Sequence, residues 1–243
     1  MVRSAVIAFI LAVGLTGGAA AQHEAELEPA NNNIANTASL QRGAKYFVNY
    51  CLGCHSAKYV RYNRLGEDLQ LSDQQIIDNL MFTGERPFDL MANAMKPEDA
   101  ARWFTIAPPD LSLIARSRGT DYIYTFLRSF YLAPDRPTGV NNVVLPNAQM
   151  PHVLWELQGT QRAVFGTDEH GVEVFEGFEA VSPGELDARA FDDVVRDIVN
   201  FLDYIAEPIK LQRQQLGVRV IGFLLVFLLI AFMLKKEIWK DVK

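Results

Sequence analysis

Apolar residues concentrate at the two ends of the chain, and the first concentration is short. Residues 5–15 form an apolar run behind the basic Arg3, and positions 19–21 are all alanine. Such a run is too short to span a bilayer, and small residues behind it are typical of a signal-peptidase site. We therefore expect residues 1–21 to be a cleaved signal peptide, with an uncleaved anchor as the alternative.

The second concentration, residues 216–234, is long and contains one charge, Arg219, near its start. At about 1.5 Å per residue it covers about 28 Å, close to the thickness of a hydrocarbon core. Because it is apolar on every face, it predicts a transmembrane helix and not a helix buried in a soluble core. The lysines of residues 235–243 place that tail in the cytoplasm. Residues 22–207 are then a periplasmic domain, and residues 208–215 a linker.

Between these ends, apolar residues three or four positions apart predict helices. The first starts at Ser39, which we expect to be its N-cap, and the second has Ser72 as its cap. The last is amphipathic and ends before Pro208, which breaks or bends the path into the anchor. The predicted helices run from residue 39 towards residue 51 and over residues 73–81, 111–117, 121–131 and 194–205.

Three segments depart from the helical pattern. Residues 132–151 contain several prolines, which exclude a helix. Residues 161–181 alternate apolar residues with glutamate around a turn at 166–171, the pattern of a β-hairpin. Residues 22–38 are polar and either wrap the domain or stay loose. The expected fold is mainly α, with a small β-hairpin insertion and one C-terminal transmembrane helix.

The most informative motif is Cys51-Leu52-Gly53-Cys54-His55, which contains the only two cysteines of the chain. Two thiols at this spacing can add to the two vinyl groups of a haem, and the histidine that follows can bind its iron. A redox dithiol or a disulfide is an alternative, but neither requires His55, and no βαβ pattern surrounds the pair. Zinc needs further ligands at suitable spacing, and the sequence offers none. Export of the domain also favours haem attachment, which uses both thiols.

A second iron ligand is expected from the proline-rich loop. Met150 follows a stiff segment and precedes Pro151, so its thioether is presented from a restrained position. Ligation by His55 and Met150 closes the iron to exchangeable ligands and raises its reduction potential. His152 is the rival ligand, although the intervening proline makes it difficult for both side chains to point the same way. Further methionines that could reach the iron, or fill the core, are Met81, Met91 and Met95.

Two further features suggest residues that pack against the haem and pair with its carboxylates. Pro108 and Pro109 fix an extended backbone suited to lie against a haem face; the alternative is a loop that starts a helix capped by Asp110. Arg118 suits a haem propionate because a guanidinium forms paired hydrogen bonds with a carboxylate; a surface arginine is the alternative.

The charge distribution excludes one class of partner. The chain has a formal net charge of −6, although both ends are basic, so the segment between them is more acidic than the whole. Such a domain does not bind nucleic acid. The densest acidic patch, from Asp168 to Asp193, contains nine acidic residues and one arginine. It either steers a basic protein partner or only keeps the surface soluble.

Taken in order, the motifs resemble the cytochrome c1 family of bacterial type, whose members are haem subunits of the ubiquinol:cytochrome c oxidoreductase, or bc1 complex. The resemblance covers nearly the whole mature chain and rests on the haem motif, a single C-terminal anchor, Ala107-Pro108-Pro109-Asp110-Leu111-Ser112, Arg116-Ser117-Arg118, Asp121-Tyr122 and Met150-Pro151. The sequence departs from the mitochondrial pattern at Met150-Pro151-His152 and in the hairpin. We therefore do not transfer the family's mode of partner docking to this region.

The resemblance implies a c-type cytochrome domain with helices around one covalent haem c. Cys51 and Cys54 are then the attachment sites, and His55 and Met150 the axial ligands. The remaining implied site residues are a haem-packing residue, Pro109, and two propionate neighbours, Arg118 and Tyr122.

The resemblance also implies a function and partners. The haem accepts an electron from the Rieske iron-sulfur subunit and passes it to a soluble or membrane-tethered c-type cytochrome, as part of ubiquinol oxidation coupled to proton translocation. Quinol is oxidised by the cytochrome b and Rieske subunits, not by this chain. The complex sits in the bacterial inner membrane as a dimer, and the anchor packs among lipid beside cytochrome b. Two alternatives remain: a c-type subunit of a terminal oxidase, and a haem enzyme or sensor with an open iron site.

Overall fold

The computed structural model describes residues 26–169 and 171–241. The predicted signal peptide, residues 1–21, lies outside the described residues. The helices are α1 Thr37–Tyr46, α2 Tyr62–Leu69, α3 Asp73–Asn79, α4 Pro97–Phe104, α5 Ile114–Arg118, α6 Thr120–Arg128, α7 Trp155–Gln158, α8 Ala188–Ala206 and α9 Lys210–Ile238. The strands are β1 Ala57–Arg61, β2 Leu90–Met91, β3 Phe130–Leu132, β4 Val140–Asn142, β5 Gly159–Thr167 and β6 Glu173–Pro183. They pair as the antiparallel ribbons β1–β2, β3–β4 and β5–β6. The mainly α fold with a hairpin insertion is confirmed.

The core forms where α1 crosses α8. A Cβ atom on Gly43 would lie 2.0 Å from the backbone oxygen of Asp197, so only glycine permits this approach. One turn later, the rings of Phe47 and Phe201 pack at 5.3 Å between centroids. Both rings are fully buried, as is most of the inner face of α8. This crossing fixes the end of α1, from which the cysteine motif continues.

The predicted cap of α1 is wrong. The helix begins at Thr37, and its cap is Asn36, whose side chain accepts a hydrogen bond from the Ser39 backbone N–H. Ser39 is instead buried and donates from Oγ to the Asp197 carboxylate at 2.6 Å. By contrast, the Ser72 cap of α3 is confirmed, as part of a capping box with Gln75. That helix ends at Asn79, two residues before the predicted end.

The helix predicted over residues 121–131 is too long at its C-terminal end. It stops at Arg128, and Phe130 pairs with Asn142 in the β3–β4 ribbon. The Asn142 side-chain amide donates to the backbone oxygen of Phe126 at 2.8 Å, which satisfies a carbonyl of the last helical turn. The short helix expected over residues 111–117 is shifted and becomes α5. Helices α2 and α4 and the β1–β2 ribbon were not predicted.

The polar leader wraps the domain. Its backbone N–H groups at Glu28 and Ala30 donate to the side chains of Thr125 and Asp121, at 2.8 Å and 2.9 Å. On the other side, Arg196 of α8 donates to the backbone oxygen of Ala30 at 3.0 Å. These hydrogen bonds hold the leader across α6 and α8, so the first of the two expectations for residues 22–38 is met wherever that segment is described.

The junction with the anchor is helical. Helix α8 ends at Ala206, and α9 begins at Lys210, so residues 210–215 of the predicted linker are the first turns of α9. Lys210 donates to both carboxylate oxygens of Asp203 at 2.8 Å, which ties α9 to the domain. Within the described part of the chain, α9 is the one helix long and apolar enough to cross a membrane, and it buries no residue against the domain.

Candidate haem-binding site

The cysteine motif lies in a tight turn at the end of α1. The helix widens into a π-helical turn, Phe47–Cys51, in which the Leu52 N–H donates to the Phe47 oxygen at 2.9 Å. The N–H groups of Cys54 and His55 then both donate to the Cys51 oxygen, at 3.1 Å and 2.8 Å. Widened turns of this kind are frequent at functional sites. Here the turn gathers both thiols and the imidazole around one helix end.

The two thiols do not form a disulfide. Cys51 is buried and Cys54 is partly exposed. Burial raises the pKa of the Cys51 thiol to about 12, so this thiol stays protonated near neutral pH. Redox dithiols and zinc sites need a thiolate, which a lowered pKa favours. In residues 26–169 and 171–241, no group of three or more His, Cys, Asp or Glu side chains is arranged to hold a metal ion.

The imidazole of His55 has one defined partner. Its Nδ1 lies 2.7 Å from the backbone oxygen of Pro109. Because a carbonyl oxygen only accepts, Nδ1 carries the proton and Nε2 keeps a free lone pair, the arrangement found in metal-binding histidines. Burial lowers the pKa of His55, while the Pro109 hydrogen bond and the Asp110 charge oppose that shift. The chemistry of this donor therefore fits a haem iron.

The segment around Pro109 is fastened to the chain that follows His55. The backbone N–H of Leu111 donates to the Ser56 oxygen at 2.8 Å. The Asp110 carboxylate accepts from the N–H groups of Lys58 and Ser112, each at 2.9 Å. Asp110 thus serves this junction, and the alternative that it caps the next helix is wrong because α5 starts only at Ile114. This role of Asp110 was not predicted from the sequence. The feature that could have indicated it is an Asp two residues before a Ser.

Several partly buried apolar side chains pack against the hydrophobic core of the domain, of which Cys51 is one member. Met150 packs against the hydrophobic cluster that contains Cys51, as do Leu111, Ile114, Tyr122, Phe126 and Val153. Two of the other methionines are core residues, since Met91 is fully buried and Met81 is 9% exposed. Met95 lines a small cavity beside Cys54 and Pro108. The structure thus brings both thiols and the imidazole to one helix end, with Met95 beside Cys54.

Two predicted propionate neighbours lie together. The guanidinium carbon of Arg118, the last residue of α5, lies 5.3 Å from the centre of the Tyr122 ring near the start of α6. Arg118 is exposed and Tyr122 is half-buried. Pro109 is also exposed, and its clearest contact is the hydrogen bond that its oxygen accepts from His55.

His152, the rival ligand, is buried. Its residue is 8% exposed, and its ring stacks on Phe130 with 5.2 Å between centroids and an 8° angle between planes. Burial lowers the pKa of His152 to about 4, and the side chain of Gln158 acts in the opposite direction. This role of Phe130 is hidden in the sequence because Phe130 continues the apolar spacing of the helix predicted over residues 121–131.

A Cys-x-x-Cys-His turn with a fixed imidazole, joined to a terminal apolar helix, is the arrangement of a membrane-anchored c-type cytochrome. The sequence model described as the Cytochrome C1 family matches residues 32–160 and 178–242. The chain therefore belongs to the cytochrome c1 family. The matched regions omit residues 161–177, which fall in the β5–β6 hairpin.

Two relatives match nearly the full length of the chain, and a third matches most of it. The chain is 46% identical over 242 residues to cytochrome c1 of Allochromatium vinosum, a match that covers 99% of each chain. It is 39% identical over 242 residues to a Nitrosomonas europaea protein named ammonia monooxygenase gamma subunit, covering 100% of this chain and 99% of the relative. Mitochondrial cytochrome c1 of Schizosaccharomyces pombe is 27% identical over 230 residues, covering 85% and 68%.

These matches confirm the resemblance drawn from the motifs. The chain is the haem electron-transfer subunit of a bc1 complex, and its cofactor is a covalently bound haem c. The single C-terminal apolar helix fits a single-pass membrane protein of a bacterial respiratory complex.

Proposed function

We propose that Cys51 and Cys54 attach one haem c and that His55 is its first axial ligand. The hydrogen bond from His55 Nδ1 to the Pro109 oxygen carries this proposal, because it fixes the ring and leaves Nε2 free. The two thiols would hold the haem through thioether bonds to its vinyl groups. When bound, the haem supplies one-electron chemistry between ferric and ferrous iron.

Met150 is the second axial ligand. Met150 is partly buried and packs against the same hydrophobic core of which Met81 and Met91 are buried members, so its thioether is more accessible to a cofactor than theirs. The His152 ring is already committed to Phe130, which favours Met150 over its neighbour. With both axial positions filled by protein, the site exchanges electrons and does not bind a substrate at iron.

Arg118 and Tyr122 are the propionate partners, and Pro109 packs on the haem face. Stacking on Tyr122 orients the Arg118 guanidinium, so its paired donors are held ready for a carboxylate. The exposed proline ring adds an apolar surface beside the His55 ligand. Together these residues orient the cofactor and exclude water from one side of it.

The next part of the proposal concerns the complex in which this chain works. We place the chain between the Rieske iron-sulfur subunit and a soluble or tethered c-type cytochrome, within a dimeric ubiquinol:cytochrome c oxidoreductase that translocates protons. The chain does not oxidise quinol itself. Its anchor packs beside the cytochrome b subunit in the bacterial inner membrane. The signal-peptide pattern and the lysines after residue 234 support a periplasmic haem domain and a cytoplasmic C-terminus.

Purification in mild detergent tests the complex. Co-purification of b-type haem and a Rieske cluster with this chain is the expected result. A copper centre or an oxidase haem in their place would assign the chain to a terminal oxidase. Because one relative is named a monooxygenase subunit, recovery of this chain with a monooxygenase would likewise reject the bc1 assignment.

Spectroscopy of the purified holoprotein tests the ligands. We expect a low-spin, six-coordinate ferric spectrum with the weak near-infrared band of methionine ligation, and loss of that band in Met150→Ala. Met95→Leu is the matched control, since Met95 lies beside Cys54 but outside the proposed ligand set. A high-spin, five-coordinate resting protein would support a haem enzyme or sensor instead.

A further inference from the structure

Two neighbouring asparagines of β4, Asn141 and Asn142, hold the loop that leads to Met150. Asn142 is 1% exposed, and its side-chain oxygen accepts from the backbone N–H groups of Val144 and Leu145, at 2.9 Å and 3.0 Å. These two hydrogen bonds shape the turn with which the chain leaves the strand. The start of the loop is therefore fixed by a buried amide.

The same amide joins the loop to α6. Asn142 donates through Nδ2 to the backbone oxygen of Phe126 at 2.8 Å. The Phe126 ring stacks on Tyr122, with 6.2 Å between centroids and 5° between planes. Tyr122 is a proposed propionate neighbour and Met150 the proposed iron ligand. One side chain thus connects the helix that carries the first with the loop that carries the second.

Asn141 acts closer to Met150. Its side-chain oxygen accepts from the backbone N–H of Asn147 at 2.7 Å, across the loop, and from that of Asn142 at 2.9 Å. From the other side of the loop, Arg136 donates through Nη2 to the Asn147 oxygen at 3.3 Å. Asn147 is therefore held at both of its backbone polar groups, shortly before Met150 in the chain.

The backbone of Asn147 has a conformation that needs such support. Its φ is +66°, in the left-handed region that few residues other than glycine adopt. A conformation of this kind persists where the surroundings determine it, and it is frequent where a ligand is held. Directly afterwards, the Ala148 N–H donates to the Leu145 oxygen at 3.1 Å, and Ala148 is 6% exposed. Only Gln149 then separates this fixed point from Met150.

We propose that Asn141 is a positioning residue that keeps the Met150 sulfur on the iron by fixing Asn147, from a strand that Asn142 ties to α6. This inference rests on the proposed ligation by Met150, and it gives neither Asn141 nor Asn142 a contact with the haem. Without the Asn141 acceptor the loop leaves its place more often, so the sulfur is dissociated in a larger fraction of the protein. Ligation is then weaker although the ligand is still present.

The test measures cyanide binding to the full-length ferric holoprotein in detergent. Cyanide binds the iron only where the sulfur has dissociated, so its apparent affinity reports that fraction. In Asn141→Ala the Asn147 N–H loses its acceptor, and we expect cyanide to bind about fivefold more tightly, with a weaker near-infrared band. Asn141→Asp keeps an oxygen at the same distance along the side chain and should restore the wild-type band and affinity.

Asn79→Ala is the matched control, because Asn79 is exposed and its amide donates to the Gln75 oxygen of its own helix at 2.9 Å. This variant should bind cyanide as wild type does. If Asn141→Ala does not fold, Asn141→Gln decides the question, since it keeps the amide and moves its oxygen by one methylene. Wild-type cyanide affinity in the deciding variant would overturn the inference. Equally tight binding in Asn141→Asp would also overturn it, because the acceptor would then not matter.

Failure of the underlying ligation looks different. In that case Met150→Ala would keep the wild-type near-infrared band, which would reject the ligand and the positioning role together. Loss of the band in Met150→Ala, combined with wild-type cyanide affinity in Asn141→Ala, would reject the positioning role alone.

Discussion

The carboxylate of Asp110 accepts a hydrogen bond from the backbone N–H of Lys58 at 2.9 Å, across the two segments that hold His55. Its other oxygen accepts from the Ser112 N–H at the same distance. One side chain therefore sets the distance between the strand after His55 and the loop whose carbonyl orients it. This junction explains why a Pro-Pro-Asp-Leu-Ser stretch accompanies the cysteine motif in the sequence.

Replacing Asp110 should weaken both the fold and the hydrogen bond that orients His55, the proposed ligand. In Asp110→Ala, two backbone donors lose their acceptor, and we expect the free energy of unfolding to fall by about 1–3 kcal/mol. Because the Pro109 carbonyl loses its support, the reduction potential should also change. Denaturant unfolding and redox titration of the full chain in detergent measure the two effects. Asp135→Ala, an exposed carboxylate in another loop, is the control and should change neither. Equal behaviour of the two variants would contradict the role of Asp110.

How much the sequence reveals differs between the site and the fold. The proposed attachment residues Cys51 and Cys54 and the proposed ligand His55 follow from spacing alone, because their chemistry depends on neighbouring residues. The end of α6 does not, because Phe130 continues the helical spacing and only its pairing with Asn142 makes it a strand. Ser39 looks like a cap for the same reason: its partner Asp197 is 158 residues away. The end of α6 and the role of Ser39 are therefore set by residues that are distant in the sequence. A local pattern of apolar and polar residues does not contain that information.

Gly43 offers a test of the α1–α8 crossing. A methyl group there would lie 2.0 Å from the Asp197 backbone oxygen and 2.7 Å from the Phe201 Cβ, and backbone cannot move aside cheaply. We expect Gly43→Ala to destabilise the chain by at least about 2 kcal/mol, or to prevent haem incorporation. Gly217→Ala is the matched control, since Gly217 is also a helical glycine and no heavy atom lies within 4 Å of its added carbon. Thermal unfolding of both holoproteins gives the comparison, and equal stability would argue against the close crossing.

Arg118 and Arg116 lie on the same exposed helix and make a paired test of propionate contact. If Arg118 faces a propionate, Arg118→Gln removes a positive charge near the haem and favours the ferric state. The reduction potential should then fall, by on the order of tens of millivolts. Arg116→Gln makes the same chemical change at an exposed position beside Glu207 and should leave the potential unchanged. Equal shifts in the two variants would mean that only the general charge of the helix matters.

The β5–β6 hairpin carries exposed acidic residues on a segment that the family match omits. If it steers a basic electron acceptor, removing charge from it should slow encounter more than it alters the haem. We expect neutralising Glu169, Glu173 and Glu179 to glutamine to lower the second-order rate with a basic c-type cytochrome severalfold at low ionic strength. Above about 0.1 M salt, where the screening length is about 10 Å, the difference should shrink.

The control for the hairpin removes the same charge elsewhere. Glu67→Gln, Asp73→Asn and Glu98→Gln neutralise three exposed carboxylates on α2, α3 and α4, away from the hairpin sequence. Stopped-flow rates at several ionic strengths compare the two triple variants. A smaller salt dependence in the hairpin variant alone would locate the steering field on the hairpin, because long-range attraction depends on where the charge lies. Equal loss in both variants would show that only total charge matters, and unchanged rates would assign the acidic residues to solubility.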